Sequence, residues 1–121
     1  MYEIEINGTV YQFTFGIGFY KDVNAKVKSD IQGLHGVKED IGFNYMALKL
    51  ADADPAALEE ILYAGNARHN PRVSMKLLDE WIDTEADVEK TCEELLDFFE
   101  QSNALRSPMK RVKNALKEMD Q

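Results

Sequence analysis

The sequence predicts an α+β fold in which an N-terminal two-stranded antiparallel β-hairpin packs on a bundle of five or six α-helices. Three observations predict it. Apolar and polar residues alternate on both sides of Asn7-Gly8, which is typical of a hairpin. From residue 17 onward, apolar residues recur at intervals of three and four, as in amphipathic helices. Capping and turn residues then divide this region into segments of helical length.

Composition indicates a single globular domain over residues 1–121. The chain is 45% hydrophobic and 30% charged, and its net charge of −8 argues against binding to nucleic acid. Cys92 is the only cysteine, so no intrachain disulfide can form. The chain opens directly into a strand pattern, and no apolar run approaches the roughly 20 residues of a membrane span. We therefore expect a cytosolic protein that does not enter a membrane.

The hairpin is predicted over residues 1–15. Asn7-Gly8 suits a type I′ turn, because both of its central residues need a positive φ. With that turn, Ile6 pairs with Thr9, and the two strands each present one apolar face. The residues expected on that face are Tyr2, Ile4, Ile6, Tyr11, Phe13 and Phe15. A two-stranded hairpin by itself is only marginally stable in water, so helices or a partner must cover its apolar face.

The helical body is predicted over residues 17–104. A first helix over 17–29 precedes a glycine-rich loop at 30–42, and a second helix covers 43–51. Asp54-Pro55 supplies an N-cap and a first-turn proline for the third helix. Ser74 caps the fourth helix, and Asp83 or Thr84 caps a fifth that extends to about Ser102. Ser107-Pro108 begins a last helix at 107–119, which a hinge at 102–107 could allow to detach.

Charge divides the end of the chain into two segments of opposite sign. Residues 79–100 carry ten acids against Lys90, and five bases follow from Arg106 onward against Glu118 and Asp120. Both segments keep apolar residues at helical spacing, which indicates two amphipathic helices that each associate with another surface. The basic last helix could dock on another copy, or the acidic segment could hold it down within one chain.

Several apolar residues are candidates for contact with a partner. Phe43, Met46 and Leu50 lie on one side of a helix that is apolar on both sides, which fits either a central core helix or a bridge to a partner. Tyr63 and Phe98 lie off the apolar stripes of their helices. The complete predicted set is Phe43, Met46, Leu50, Tyr63, Phe98, Met109, Val112 and Leu116.

No catalytic or metal-binding pattern competes with a binding role. His35 and His69 have no HxxxH or HExxH spacing, and Cys92 has no nearby cysteine partner. Gly16-Ile17-Gly18 lacks the remaining residues of a nucleotide-binding loop, and we interpret it as a tight corner. We therefore predict no enzyme, no cofactor and no metal; a small hydrolase or nucleotide-binding enzyme would need a polar pocket at these residues.

Three stretches together carry a family resemblance. They are INGTVYQFTFGIGFYKDVN, PAALEEILYAGNARHNPRVS and LLDEWIDTEADVEKTCEELLDFFEQSNA, followed by a lysine-rich tail. In this order they resemble the tail assembly chaperones of long-tailed phages and of prophages in Gram-positive bacteria. The resemblance covers nearly the whole chain.

The resemblance implies a protein that binds the long helical tape measure protein, keeps it soluble and recruits tail tube subunits. It further implies self-association, a place in the host bacterial cytoplasm and absence from the mature virion. The acidic composition leaves one alternative open. Acids at 79–100 could imitate the phosphates of DNA and bind a basic regulatory partner.

Overall fold

The computed structural model describes residues 1–30 and 42–119 of the chain, with side chains described for 1–27 and 42–119. In these ranges the chain forms two strands and six helices, which confirms the predicted fold class. The elements are β1 (Tyr2–Ile6), β2 (Thr9–Phe13), α1 (Ile17–Asp30), α2 (Gly42–Ala51), α3 (Pro55–Gly65), α4 (Met75–Thr84), α5 (Val88–Gln101) and α6 (Arg106–Met119). The loop predicted at 30–42, with His35, lies outside the described residues except at its two ends.

The hairpin has the predicted register. Ile6 pairs with Thr9 and Tyr2 pairs with Phe13. The turn residues Asn7 and Gly8 have φ values of 52° and 83°, as a type I′ turn requires. Ile6 and Phe13 are buried, whereas Glu3 and Glu5 on the opposite face are exposed. The period-two pattern therefore directs one face of the hairpin into the protein.

Four phenylalanines form the centre of the core. Phe15 follows β2, Phe19 lies on α1, Phe43 on α2 and Phe99 on α5. The Phe99 ring lies 5.3 Å from Phe15, 5.7 Å from Phe19 and 5.2 Å from Phe43, measured between centroids. These ring pairs are edge-to-face or tilted, and they connect the end of the hairpin to α1, α2 and α5.

Side-chain caps set most helix starts. Asp54 accepts from the amides of Ala56 and Ala57, and Ser74 accepts from Leu77, as predicted. Asn24 of α1 caps the neighbouring helix α2, because its Oδ1 accepts a hydrogen bond from the Phe43 amide at 2.7 Å. The buried Asn24 thereby satisfies one amide in the first turn of α2.

The predicted cap of the fifth helix is wrong. Helix α4 continues through Asp83 to Thr84, and the Glu85 and Ala86 amides bond back to the Trp81 carbonyl. These bonds close α4 and delay the next helix. Asp87 is the cap instead, since its carboxylate accepts from the Lys90 amide at 3.1 Å.

The start of the last helix also differs from the prediction. Helix α6 begins at Arg106, one residue before Ser107, because the Arg106 amide already bonds to the Ser102 carbonyl at 3.0 Å. Ser107 is therefore inside the first turn and is not the cap. Pro108 is tolerated there because first-turn amides need no partner within the helix.

Helix α6 packs across α2 and α5. Its apolar side is closed off from solvent: Met109 is 3% exposed and Val112 is 1% exposed. Leu105, in the turn before α6, is fully buried. Lys113 adds an ion pair to Glu100 of α5 at 2.7 Å. Detachment of this helix from the body stays a prediction.

Candidate partner-binding groove

An open groove of about 410 Å³ lies between α1, α2 and α3 and the segment that leads into α4. Its apolar lining is Val23, Val27, Met46, Tyr63, Ala64, Ala67 and Met75, and its charged rim is Asp22, Lys26, Glu60 and Arg72. A groove with an apolar floor and a charged rim suits the apolar face of a helix better than a small polar substrate.

Helical spacing explains how the floor forms. Val23 and Val27 are four residues apart on α1, so their side chains lie one above the other on the same face. Met46 of α2 is 8% exposed and contributes the edge of the core to the floor. Tyr63 of α3 is half-buried and forms the opposite wall.

Arg72 holds Tyr63 in position. Its guanidinium carbon lies 3.8 Å from the centre of the Tyr63 ring, which is a cation–π contact. The same side chain donates from Nη1 to the Tyr63 carbonyl at 2.7 Å and to Asn66 Oδ1 at 3.0 Å. This wall of the groove is therefore fixed by both stacking and hydrogen bonds.

Asn66 organises the turn behind this wall. It is fully buried; its Oδ1 also accepts from the Val73 amide at 2.6 Å, and its Nδ2 donates to the Gln12 carbonyl at 2.9 Å and to the Pro71 carbonyl at 3.2 Å. The side chain thus joins β2 to the segment before α4. Sequence reasoning missed this role, because Asn66 after Gly65 reads only as the end of a helix.

Beside the groove, an ion pair connects Asp22 of α1 to Arg68 in the turn after α3. Arg68 Nη1 lies 2.9 Å from Asp22 Oδ2, and the Arg68 guanidinium covers Gly18. A Cβ at Gly18 would lie 2.6 Å from Arg68 Cζ, so a side chain at this position would displace the flexible end of Arg68. Gly18 therefore lies against Arg68, whereas no described atom comes within 4 Å of a Cβ placed at Gly16. The interpretation of Gly16-Ile17-Gly18 as a tight corner stays a prediction.

The structure divides the eight predicted contact residues into three groups. Met46 and Tyr63 line the groove together. Phe43, Leu50, Met109 and Val112 are buried in the core, so the surface exposure considered for Phe43 and Leu50 is not found. Helix α2 buries that side because it faces the aromatic cluster and α6. Phe98 and Leu116 are half-buried. Contact of any of the eight with a partner stays a prediction.

Of the residues considered for catalysis, His69 contacts the end of the hairpin and Cys92 is buried. His69 Nε2 lies 2.6 Å from Thr14 Oγ1, which ties the turn after α3 to the end of the hairpin. Burial raises the pKa of the Cys92 thiol to about 11, so it remains protonated at neutral pH. Over residues 1–30 and 42–119, no group of three or more His, Cys, Asp or Glu side chains could hold a metal ion.

In the described part of the chain, every helix is too short or too polar to span a bilayer.

Comparison with known proteins identifies the family. A family model described as phage tail assembly chaperone protein, TAC, matches residues 3–113. A search of curated proteins and a search of solved structures each gave no significant match. Because the matched region covers most of the 121 residues, the chain belongs to the phage tail assembly chaperone family.

Proposed function

We propose that this chaperone binds the tape measure protein of its phage in the groove between α1, α2 and α3, keeps it soluble and promotes tail tube assembly around it. The observation that carries the proposal is the groove. Its floor is apolar, although the protein as a whole has a net charge of −8. Family membership supplies the phage tail context.

The physical argument concerns solubility. A long helical protein with an apolar seam aggregates unless the seam is covered, and this groove of about 410 Å³ offers an apolar floor that can cover part of it. Apolar side chains at positions i, i+4 and i+7 of a helix would enter the groove. The strong negative charge would then keep the complex soluble.

The remaining parts of the proposal follow from the same role. The chain acts by binding, without catalysis, and works in the cytoplasm of the host bacterium during assembly. It recruits the tail tube protein, self-associates and leaves before the virion is mature. The alternative of an acidic DNA mimic has less support, because Lys113 of the basic helix already pairs with Glu100 of the acidic segment.

The test is co-expression with the tape measure protein of the same phage. Ala67 lines the groove and is exposed, so Ala67→Trp should fill the groove without disturbing the core. We expect the wild-type chain to keep the tape measure protein soluble and to co-purify with it. The Ala67→Trp variant should lose most of this yield.

Ala51→Trp is the matched control, since Ala51 is exposed at the end of α2 and does not line the groove. This control should behave as the wild type. Equal capture by both variants would remove the groove from the proposal, and no capture by the wild-type chain would overturn the function.

A further inference from the structure

We infer that the outer edge of β1 binds an extended strand of another protein, in which basic and apolar residues alternate. This surface lies apart from the groove, and the inference goes beyond the function proposed for the groove. In the described part of the chain, the hairpin forms a sheet of two strands in the order β1-β2. One edge of β1 is therefore free to pair with an added strand.

The register of the hairpin determines which backbone groups face away from β2. In an antiparallel pair, residues that exchange both backbone hydrogen bonds with the opposite strand alternate with residues whose N–H and C=O point outward. A two-residue turn makes its flanking residues, Ile6 and Thr9, a hydrogen-bonded pair, so Glu3 and Glu5 are of the outward kind. Over residues 1–30 and 42–119, the backbone N–H and C=O groups of these two glutamates form no hydrogen bond.

The bonds on the outer edge of β2 agree with this alternation. The Gln12 carbonyl accepts from Asn66 Nδ2 at 2.9 Å, and the Thr14 amide donates to the Gly65 carbonyl at 2.9 Å. Both groups point away from β1, as the register requires. The turn after α3 thus covers part of β2, whereas no described segment is hydrogen-bonded to the outer edge of β1.

The charges beside this edge favour a basic strand. Glu3 and Glu5 lie on the exposed face of β1 and form no ion pair within the part of the chain that the structure describes. Gln12 Nε2 donates to Glu3 Oε2 at 3.3 Å on the same face. Two residues along a strand span about 6.8 Å in every antiparallel strand. Lysine or arginine at alternate positions of an added antiparallel strand would therefore lie directly opposite the two glutamates.

The other face of the same edge is apolar. Tyr2 and Ile4 point into the protein and are half-buried, whereas Ile6 is 2% exposed. Apolar residues between the bases of the added strand would cover the parts of Tyr2 and Ile4 that remain accessible. The alternation of basic and apolar residues thus complements both faces of β1.

A second copy of β1 is a poor occupant of this edge. Antiparallel pairing of two β1 strands would set Glu3 of one copy opposite Glu5 of the other, and like charges directly opposite each other destabilise a sheet. The net charge of −8 adds repulsion between copies. A basic strand from a different protein avoids both penalties.

The probe is a soluble peptide of alternating lysine and valine, titrated into the isotope-labelled full chain and followed by amide hydrogen exchange. We expect exchange of the Glu3 and Glu5 amides to slow at least about tenfold at saturation, because both become hydrogen-bonded. The Val10 amide, on the outer edge of β2, should keep its rate.

Two N-methylated peptides test the backbone pairing separately from charge. N-methyl groups on the lysines block the amides that face β1, so this peptide should bind at least about tenfold more weakly. N-methyl groups on the valines lie on amides that face away, and this matched control should bind within about threefold of the parent peptide.

The variant Glu3→Lys with Glu5→Lys tests the charge at the edge and keeps its backbone groups. Its dissociation constant for the lysine peptide should rise at least about tenfold, and it should prefer a peptide of alternating glutamate and valine. Glu80→Lys with Glu85→Lys is the matched control, since both acids are exposed and the net charge changes equally. The control should weaken binding by less than about threefold. Circular dichroism verifies folding of both variants.

Four results would overturn the inference: no binding of the lysine peptide, protection at Val10 in place of Glu3 and Glu5, equal binding of the two N-methylated peptides, or equal weakening in the edge variant and its control. Protection of the Glu3 and Glu5 amides in the free chain that grows with its concentration would assign the edge to a second copy and would overturn it too.

The groove variant Ala67→Trp separates this surface from the groove. It should bind the lysine peptide as the wild type does, because Ala67 lies in the groove lining and β1 does not. Loss of peptide binding in this variant would place the peptide in the groove and remove the inference. Failure of tape measure capture with peptide binding intact would remove the proposed function alone.

Discussion

The hydroxyl of Tyr2 donates a hydrogen bond to Glu94 Oε2 at 3.0 Å, and this bond connects the first strand to the fifth helix. The Tyr2 ring also meets the Phe98 ring edge-on, with 5.2 Å between centroids. Burial and the Glu94 carboxylate raise the pKa of Tyr2 above its ordinary value, so the hydroxyl keeps its proton throughout the physiological range. Phe98, a predicted contact residue, is thus partly covered within the protomer.

Removal of this hydroxyl should loosen the hairpin from α5. We expect Tyr2→Phe to lower the free energy of unfolding by about 1 to 2 kcal/mol, because the bond is charge-assisted and the ring packing is kept. Urea denaturation measures the change. Tyr11→Phe is the matched control on β2, where the hydroxyl has no hydrogen bond in the described residues. Equal losses in the two variants would contradict the assigned bond.

Asn66, in the turn behind the groove wall, should be the polar residue there whose loss most lowers stability. Asn66→Ala leaves the Gln12 carbonyl and the Val73 amide without their partner, so we expect a loss of about 2 to 4 kcal/mol in urea denaturation. Asn114→Ala, on the exposed side of α6, should change stability by less than about 0.5 kcal/mol. A mild effect at Asn66 would mean that water replaces the side chain.

The docking of α6 can be tested with a pair of valines. Val112→Ala should cost about 1.5 to 3 kcal/mol, because Val112 on the inner side of α6 is 1% exposed and the lost methyl groups leave a cavity. Val10→Ala removes the same atoms from a strand residue that is 46% exposed, and should cost less than about 1 kcal/mol. Thermal denaturation measures both. Similar costs would show that α6 is not firmly packed.

Glu59 makes stability depend on pH. Burial and the adjacent Asp79 carboxylate raise the pKa of Glu59 from 4.5 to about 7 in the folded chain. The folded state thus binds the proton more tightly than the unfolded state. The resulting stability is fully present below about pH 4.5 and is lost as pH rises through about 7.

Glu59→Gln removes that loss, because an amide does not titrate. We expect the variant to exceed the wild type by a few tenths to about 1 kcal/mol at pH 8, after allowance for solvent screening, and to match it at pH 4. Urea denaturation across this pH range gives the comparison. Glu85→Gln, at an exposed acid, should show no such trend. A constant difference at all pH values would contradict the assigned titration.

Cys92 should be inert in the folded chain. Its side chain is 2% exposed and its pKa is about 11, so the reactive thiolate is scarce at pH 8. We expect Ellman's reagent to react at least about 100-fold more slowly with the native chain than with the chain in urea. Comparable rates would place the thiol on an accessible surface.

The sequence predicted the elements well where a few neighbouring residues determine the local conformation. Asn7-Gly8 specified the turn and therefore the register of the hairpin, because type I′ geometry leaves no alternative pairing. Asp54-Pro55 and Ser74 marked helix starts through their own side chains. At Asp83-Thr84 the same reasoning failed, since three possible caps stand close together and only the closure of α4 selects Asp87.

The groove could be predicted only in part. Met46 was identified because it lies on one side of a helix that is apolar on both sides, and Tyr63 because it lies off the apolar stripe of its helix; both residues line the groove. Val23 looked like an ordinary core residue of α1, and Asn66 looked like a helix end. Neither role follows from spacing along one element, because the groove exists only where α1, α2 and α3 meet.

The sequence by itself determined the hairpin, the helical segments and the distribution of charge, since turns, caps and periodicity act over a few neighbouring residues. Only the tertiary structure decided which apolar residues remain accessible. Phe43 and Leu50 are fully buried because the aromatic cluster and α6 cover α2, whereas Met46 on the same helix keeps 8% exposure at the groove. That difference arises from the packing of distant segments, which no local pattern records.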